Sequence, residues 1–145
     1  MHQYHDLLYL QTSTDSNSQT MIQWPDKKEF STRTLPHVLN SILKLYLRDI
    51  KLQRETPKRL LNINKRVPLY VCDQLVLLPL KPQRATIQYY VNAINIHHIE
   101  HHGDRTKIHF VNAHTLMIDE PYTLIYRKWK ESIALIHFIK LHCFI

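Results

Sequence analysis

The stretch Leu69-Tyr-Val-Cys-Asp-Gln-Leu-Val-Leu-Leu78 decides the fold class. It contains two apolar runs that are too short for ordinary helices, and the polar pair Asp73-Gln74 separates them. Two such runs joined by two polar residues predict a tight antiparallel hairpin. Because almost every residue in the runs is apolar, we expect both strands to be buried on both faces.

The sequence on both sides of this hairpin predicts further short strands. Upstream, a turn at Pro25-Asp26 joins two extended segments, since proline fixes φ at the second turn position. Downstream, Gly103 and the segment Asn112-Ala113-His114 mark two further hairpins. The segments with an extended pattern cover residues 7–10, 21–24, 29–32, 60–65, 69–72, 75–78, 86–91, 93–101, 106–111 and 115–118.

Helical periodicity appears before and after these strands. Thr34 is a good N-cap and Pro36 suits a first turn, so a helix is predicted over about 34–48. A second helix is predicted over about 121–140. Their expected buried faces are Leu35, Val38, Leu39, Ile42, Leu45 and Tyr46 in the first helix, and Ile125, Trp129, Ile133, Ile136 and Ile139 in the second.

The segment from Lys51 to Arg59 is polar and contains Pro57, so we expect an exposed connection there. The prediction is therefore an α+β domain, with one antiparallel sheet of six to eight short strands, one helix before it and one after. A single domain is expected over residues 1–145, in which residues 1–19 form a poorly defined N-terminal segment apart from the strand at 7–10.

Composition excludes several classes of protein. The apolar fraction of 44% is ordinary for a globular chain, and no apolar run approaches the roughly 20 residues that span a bilayer. The two cysteines, Cys72 and Cys143, are too few for a disulfide scaffold, and we expect both to be buried. The N-terminus lacks the features of a secretory signal, so a cytoplasmic protein is expected.

The signatures of common enzymes are missing. A chain with one glycine cannot build the glycine-rich loops that hold phosphates, and no nucleophile-elbow sequence occurs. The acidic pair Asp119-Glu120 precedes Pro121 and is interpreted as a helix-start signal. We therefore predict that the protein is not an enzyme and needs no cofactor.

Histidines are frequent, and the segment from His97 to His102 could supply metal ligands. On a strand, His98, Glu100 and His102 would point one way and His97 and His101 the other. A solvated strand end is the preferred interpretation, so no metal site is predicted. A metal-binding protein or metal-dependent enzyme is the minor alternative.

Positive charge is concentrated in one part of the chain. The net charge is +7, and the segment from Lys51 to Arg66 alone carries +5, with Glu55 as its only acidic residue. Such a cluster either forms a solvated loop or contacts the phosphates of a nucleic acid. Charge by itself leaves both interpretations open.

Six segments between residues 20 and 135 together resemble the ComK family, the competence transcription factors of Gram-positive bacteria. Thr106–Asn112 is similar to the family's Thr-x-Ile-x-Phe-x-Asn-Gly pattern, and Lys65–Val71 is similar to its Lys-x-Pro-Ile-hydrophobic-Val segment. The remaining four are Val38–Tyr46, Leu75–Leu80, Tyr90–Asn92 and Leu116–Tyr122.

The departures from the family pattern lie mainly at glycines. The family has glycine after its helix-ending aromatic residue and after its Asn, where this chain has Leu47 and Ala113. A glycine in the family's basic run is also replaced, and the family's longer C-terminal tail does not appear.

The resemblance implies a homo-oligomeric transcriptional activator of competence genes that binds AT-rich double-stranded DNA, largely through the minor groove. Only Arg54 matches a basic position of the family, and the other predicted contacts rest on charge. The predicted DNA-binding residues are Arg48, Lys51, Arg54, Lys58, Arg59, Lys65, Arg66, Lys81 and Arg84. The alternative is an interaction module that has lost DNA binding and associates with a proteolytic adaptor or a full-length ComK-like relative.

Overall fold

The computed structural model describes the backbone of residues 3–143 and the side chains of residues 3–141. These residues form nine strands and three α-helices, which confirms the α+β class. The strands are β1 (Tyr9–Thr12), β2 (Thr20–Gln23), β3 (Lys28–Ser31), β4 (Leu69–Cys72), β5 (Leu75–Pro79), β6 (Tyr89–Asn92), β7 (Ile96–His102), β8 (Arg105–Phe110) and β9 (Thr115–Ile118). The helices are α1 (Leu35–Leu45), α2 (Ile50–Leu61) and α3 (Tyr122–Cys143).

The strands form two antiparallel sheets rather than the single sheet that the sequence predicted. The large sheet has the order β3-β2-β1-β6-β5-β4, and the small sheet has the order β7-β8-β9. The chain leaves the large sheet after Asn92 through a short 3-10 turn at Ala93–Asn95. The strands before that turn belong to the large sheet, and the strands after it form the small sheet.

The large sheet is covered on both faces at its β5–β4 end, as the apolar runs of these two strands predicted. Leu75 and Leu77 of β5 pack in the cluster that contains the buried residues of α1. Val76 and Leu78, which alternate with them, pack on the other side with residues of α3 and the small sheet. The sheet is therefore the middle layer of the fold.

The N-terminal segment is more ordered than the sequence suggested. Leu7, Leu8 and Leu10 are fully buried, and β1 lies in the interior of the large sheet between β2 and β6. The strand predicted at residues 7–10 is thus confirmed with its bounds moved to Tyr9–Thr12.

Buried Asn92 fixes the junction between the two sheets. Its Nδ2 donates to the carbonyl oxygens of Leu7 (3.3 Å) and Gln74 (3.1 Å), and its Oδ1 accepts from the amides of Val76 and Ile94 (both 3.2 Å). Asn95 Nδ2 supports the same junction, because it also donates to the carbonyl of Leu7 (2.9 Å). One side chain therefore satisfies buried polar groups from three chain segments.

Helix α1 begins as predicted, because Thr34 accepts a hydrogen bond from the amide of His37. Its buried face contains Leu43, while Leu45 is 66% exposed, so the predicted burial of Leu45 was wrong. At the end of the helix, Leu47 has a φ of +59°, and the amide of Arg48 donates to the carbonyl of Leu43 at 2.8 Å. This is the left-handed helix end at which glycine is usual.

Helix α2 corrects two predictions, the exposed connection from Lys51 to Arg59 and the strand beginning at Leu60. The Asp49 side chain caps its first turn, and Asn62 ends it with a φ of +54°. Pro57 lies inside the helix, where it removes one backbone hydrogen bond. Pro57 is buried and α2 packs on β4, so tertiary packing outweighs the low helix propensity of the segment.

The predicted hairpin turns are confirmed. Gly103 joins β7 to β8 with a φ of +66°, and Ala113 takes a φ of +72° between β8 and β9. The turn at Pro25 joins β2 to β3, which pair antiparallel with Gln23 opposite Lys28. Each of these turns is encoded by a few neighbouring residues.

Helix α3 is confirmed, with a buried face slightly different from the predicted stripe. Ile125, Leu135 and Ile139 are buried, whereas Ile133 is 42% exposed. Cys72 is only half-buried, and the predicted burial of Cys143 lies outside the described side chains. Among the described residues no helix, α3 included, combines the length and apolarity needed to cross a bilayer.

Candidate functional site

A cleft with a volume of about 990 Å³ lies on the described surface. One wall is formed by α2 and the segment that follows it, and the other wall is formed by the connection from β5 to β6. Six of the nine predicted DNA-binding residues line it: Arg54, Lys58, Lys65, Arg66, Lys81 and Arg84. No aspartate or glutamate is among the described residues of its lining. We call it the basic cleft.

Helix α2 supplies two of these cations. Arg54 and Lys58 are one turn apart on the exposed side, while Gln53 and Pro57 face β4. The Gln53 side-chain amide donates to the carbonyl of Tyr70 at 2.5 Å, which fixes the rotation of the helix. The helix that the sequence did not predict is thus what aims these two side chains at the cleft.

Arg66 and Lys81 are joined by a carboxylate at the edge of the cleft. Arg66 Nη2 lies 2.9 Å from Glu120 Oε1, and Lys81 Nζ lies 2.9 Å from Glu120 Oε2. All three side chains are largely shielded from solvent: Arg66 is 14% exposed, Lys81 is 18% exposed and Glu120 is 14% exposed. Glu120 was interpreted as a helix-start residue, but here it binds two cations and offsets one of their charges.

The opposite wall is a turn held by Gln88. The Gln88 side-chain amide donates to the carbonyl oxygens of Pro82 (2.9 Å) and Ala85 (2.8 Å), which enclose Arg84. The backbone amide of Gln88 in turn donates to Thr12 Oγ1 at 2.9 Å, which ties the turn to β1. Sequence reasoning missed Gln88, and no local pattern indicates its role.

Tyr90 lies at the base of the cleft beside Arg54. Burial raises the pKa of the Tyr90 hydroxyl, and the nearby Arg54 guanidinium partly opposes this shift. The hydroxyl therefore stays protonated at neutral pH and is able to donate a hydrogen bond. A smaller cleft of about 210 Å³ continues from Tyr90 and Arg54 toward Leu35 at the start of α1.

The other three predicted residues lie outside the cleft lining. Arg48 is engaged within the protein, since its Nε donates to the carbonyl of Val71 at 3.0 Å and its guanidinium lies 5.5 Å from the centre of the Tyr70 ring. Lys51 and Arg59 are exposed on α2. Those two extend the positive surface of the helix beyond the cleft.

The histidine-rich segment is arranged differently from its sequence prediction. A register shift between Ile96 and His98 gives β7 a bulge, so His97 and His98 are both exposed. The group of possible ligands is His98, Glu100 and His109, whose nitrogen and oxygen atoms lie within 4.8 Å of one another. His109 belongs to β8 and replaces His102 in the predicted set.

Comparison of the chain with protein-family models, with curated proteins and with solved structures finds no match. The similarity to the ComK family therefore stays a prediction from the sequence segments quoted above.

Proposed function

We propose that this protein binds AT-rich double-stranded DNA with the basic cleft and the exposed side of α2, and that it is a ComK-like transcriptional regulator of competence genes. The observation that carries the proposal is the gathering of six cations from three chain segments around one cleft without a carboxylate in its described lining. A phosphate backbone is the ligand that matches such a surface. The proposal implies a cytoplasmic location, where bacterial DNA lies.

The ion pairs divide the cations into two groups. Arg66 and Lys81 are committed to Glu120, and Arg48 is committed to Val71. The remaining predicted residues make no ion pair among the described residues and form the proposed contact set: Lys51, Arg54, Lys58, Arg59, Lys65 and Arg84. Six phosphate contacts predict that affinity falls about 10³-fold between 50 and 200 mM salt.

The size of the cleft suggests how a duplex would lie. A volume of about 990 Å³ equals that of a large ligand pocket, so the cleft would hold a stretch of one sugar–phosphate strand. The rest of the duplex would then follow the exposed side of α2, where Lys51 and Arg59 project. Arg54, at the boundary between these surfaces, is the proposed minor-groove residue.

Backbone geometry supports the resemblance on which the DNA specificity rests. Leu47 and Ala113 occupy positions at which the family has glycine, and both have positive φ, at +59° and +72°. Positive φ is the conformation that glycine adopts without strain. Positive φ at these two positions is the observation that supports the proposed resemblance.

A fluorescence-anisotropy titration tests the proposal. AT-rich and GC-rich duplexes of equal length are compared at 50 and 200 mM salt, with the wild type, Lys58→Ala and Arg54→Ala. Loss of the Lys58 phosphate contact should weaken binding to both duplexes and lower the salt slope by about one, whereas Arg54→Ala should also reduce the AT preference.

Lys44→Ala is the matched control, because Lys44 is an exposed cation of α1 outside the cleft lining. It removes the same charge and should change affinity much less. Equal losses in Lys44→Ala and Lys58→Ala would show that only net charge matters. No binding at 50 mM salt, or equal affinity for the two duplexes, would refute the proposal.

A protein-interaction module is the second candidate, and a different surface favours it. Leu45, Leu47 and Leu52, around the junction of α1 and α2, are 66%, 93% and 58% exposed. Exposed apolar residues grouped in this way are typical of protein contacts. If they hold the expected homo-oligomer together, Leu45→Gln with Leu52→Gln should reduce the mass measured by light scattering while circular dichroism stays unchanged. Retention of a protein partner without any DNA binding would favour this candidate over the first.

A further inference from the structure

The exposed face of the small sheet brings three metal-ligating side chains together. In β8, Thr106, Ile108 and Phe110 are buried, so the alternating residue His109 lies on the opposite face of the sheet. His98 of β7 is the cross-strand partner of His109. None of these residues lines the basic cleft, so the group is separate from the proposed DNA site.

Glu100 completes the group from one residue pair further along β7. It pairs with Lys107 across the strands and is therefore the diagonal neighbour of His109. His109 Nε2 lies 2.7 Å from Glu100 Oε1, and the ligand atoms of His98, Glu100 and His109 all lie within 4.8 Å of one another. Two ligands bound to one tetrahedral ion with bonds of about 2.0 Å are about 3.3 Å apart, so side-chain rotations alone, without a backbone change, bring these atoms to the spacing that an ion requires.

The bulge in β7 supplies a neighbour that orients His98. His97 Nδ1 lies 2.9 Å from His98 Nδ1, so one of these two nitrogens donates a hydrogen bond to the other. With both Nδ1 atoms engaged, the free nitrogen of His98 for an ion is Nε2. Metal-binding histidines commonly use one ring nitrogen for the ion and the other for such a hydrogen bond.

We propose that His98, Glu100 and His109 bind a divalent transition-metal ion, of which Zn²⁺ is the best match, with His97 as an orienting residue. Two imidazoles and one carboxylate form a nitrogen-rich set that suits Zn²⁺, whereas Mg²⁺ and Ca²⁺ prefer oxygen ligands alone. Three protein ligands leave a fourth position for water or for a donor atom from another molecule.

Binding requires one rearrangement that the geometry defines. The rings of His98 and His109 stack with their centres 4.1 Å apart and their planes 11° apart. A ring nitrogen binds an ion in the plane of its own ring, so two stacked rings cannot point at one ion. The exposed His98 ring must therefore rotate out of the stack while its backbone stays in β7, and the exposed His97 ring must move with it to keep the Nδ1–Nδ1 hydrogen bond.

The proposal is tested by isothermal titration of tag-free, chelator-treated protein with Zn²⁺, and by the visible absorption of added Co²⁺. The wild type should bind one equivalent, and Co²⁺ should give the intense absorption of a four-coordinate nitrogen and oxygen site. His98→Ala and His109→Ala should each lower the affinity at least tenfold. His97→Ala should cost less than loss of a direct ligand, in keeping with an orienting role.

His37→Ala is the matched control, because His37 is an exposed histidine of α1, remote in sequence from the small sheet. It should leave the Zn²⁺ affinity unchanged. Circular dichroism checks that each variant is folded, and the exposed His98 keeps the test available if His109→Ala unfolds. Absence of stoichiometric binding to the wild type would overturn the proposal. So would equal affinities of His98→Ala, His109→Ala and His37→Ala, because other histidines would then hold the ion.

Discussion

Replacing Glu120 by Gln tests the electrostatic arrangement of the basic cleft. The substitution keeps the shape of the side chain and removes the charge that holds Arg66 and Lys81. Because both partners are more than 80% shielded from solvent, they would be left as poorly solvated cations with one neutral amide between them. The change should therefore lower stability and strengthen the attraction of the cleft for anions.

The expected magnitudes follow from the contacts. Removing one partner of a fully buried ion pair costs about 3–5 kcal/mol. Discounting for the remaining exposure of the Glu120 contacts gives a loss of about 2 kcal/mol. For a chain of this length that lowers the melting temperature by about 5 °C.

The same substitution should steepen the salt dependence of DNA binding. If Arg66 and Lys81 then contact phosphates, the slope of log affinity against log salt rises by about 1.8. Between 50 and 200 mM salt, the variant should therefore lose about ten times more affinity than the wild type loses.

Thermal unfolding and anisotropy titration measure the two effects separately. Asp104→Asn is the control, because Asp104 is an exposed carboxylate in the turn from β7 to β8 and its loss changes the net charge equally. A stability change within about 0.5 kcal/mol would show that the Glu120 contacts behave as ordinary surface pairs. A salt slope equal to that of the wild type would show that Arg66 and Lys81 do not reach phosphates.

Three further predictions concern stability. Leu47→Gly should stabilise the protein by about 0.5–1 kcal/mol in urea unfolding, because Leu47 has positive φ and is 93% exposed. Leu45→Gly, at the last residue of α1, should instead destabilise it by up to about 1 kcal/mol. Asn92→Leu should cost about 3 kcal/mol or more, since the carbonyl of Gln74 and the amides of Val76 and Ile94 lose this partner, whereas the carbonyl of Leu7 keeps Asn95 Nδ2. A loss below about 1 kcal/mol would show that these groups find other partners. Burial raises the pKa of the Tyr70 hydroxyl above its usual value of 10.0, so the unfolded chain releases that proton at a lower pH than the folded chain does. The free energy of unfolding should therefore fall as the pH rises above about 10. Tyr70→Phe should flatten this decline, and an unchanged pH profile in this variant would contradict the prediction.

Local signals made much of the fold predictable. The turns at Pro25 and Gly103 and the cap at Thr34 depend on a few adjacent residues, and the structure has them where the sequence placed them. Helix α2 was missed because its propensity is poor around Pro57. Its stability comes from packing on β4 and from a cap at each end, and the packing contacts are distant in the sequence.

The sites show the same division between local and distant information. Charge clustering picked out Arg54 and Lys58, but their convergence with Arg84 depends on how α2 packs beside the β5–β6 connection. The pairing of Glu120 with Arg66 joins residues that are 54 positions apart. His109 was overlooked because only the register of β7 on β8 sets it beside His98.

The place of β1 inside the large sheet has a consequence for how the chain is made. Tyr9 pairs with Val91, so ribosomal synthesis delivers the first strand long before its second neighbour. At about 5–20 residues per second, the roughly 80 intervening residues take about 4–16 s to emerge. During that interval β1 has an unpaired edge and uncovered leucines, which makes the nascent chain a substrate for chaperones and prone to aggregate. Slow translation between β1 and β6 should therefore lower the yield of folded protein.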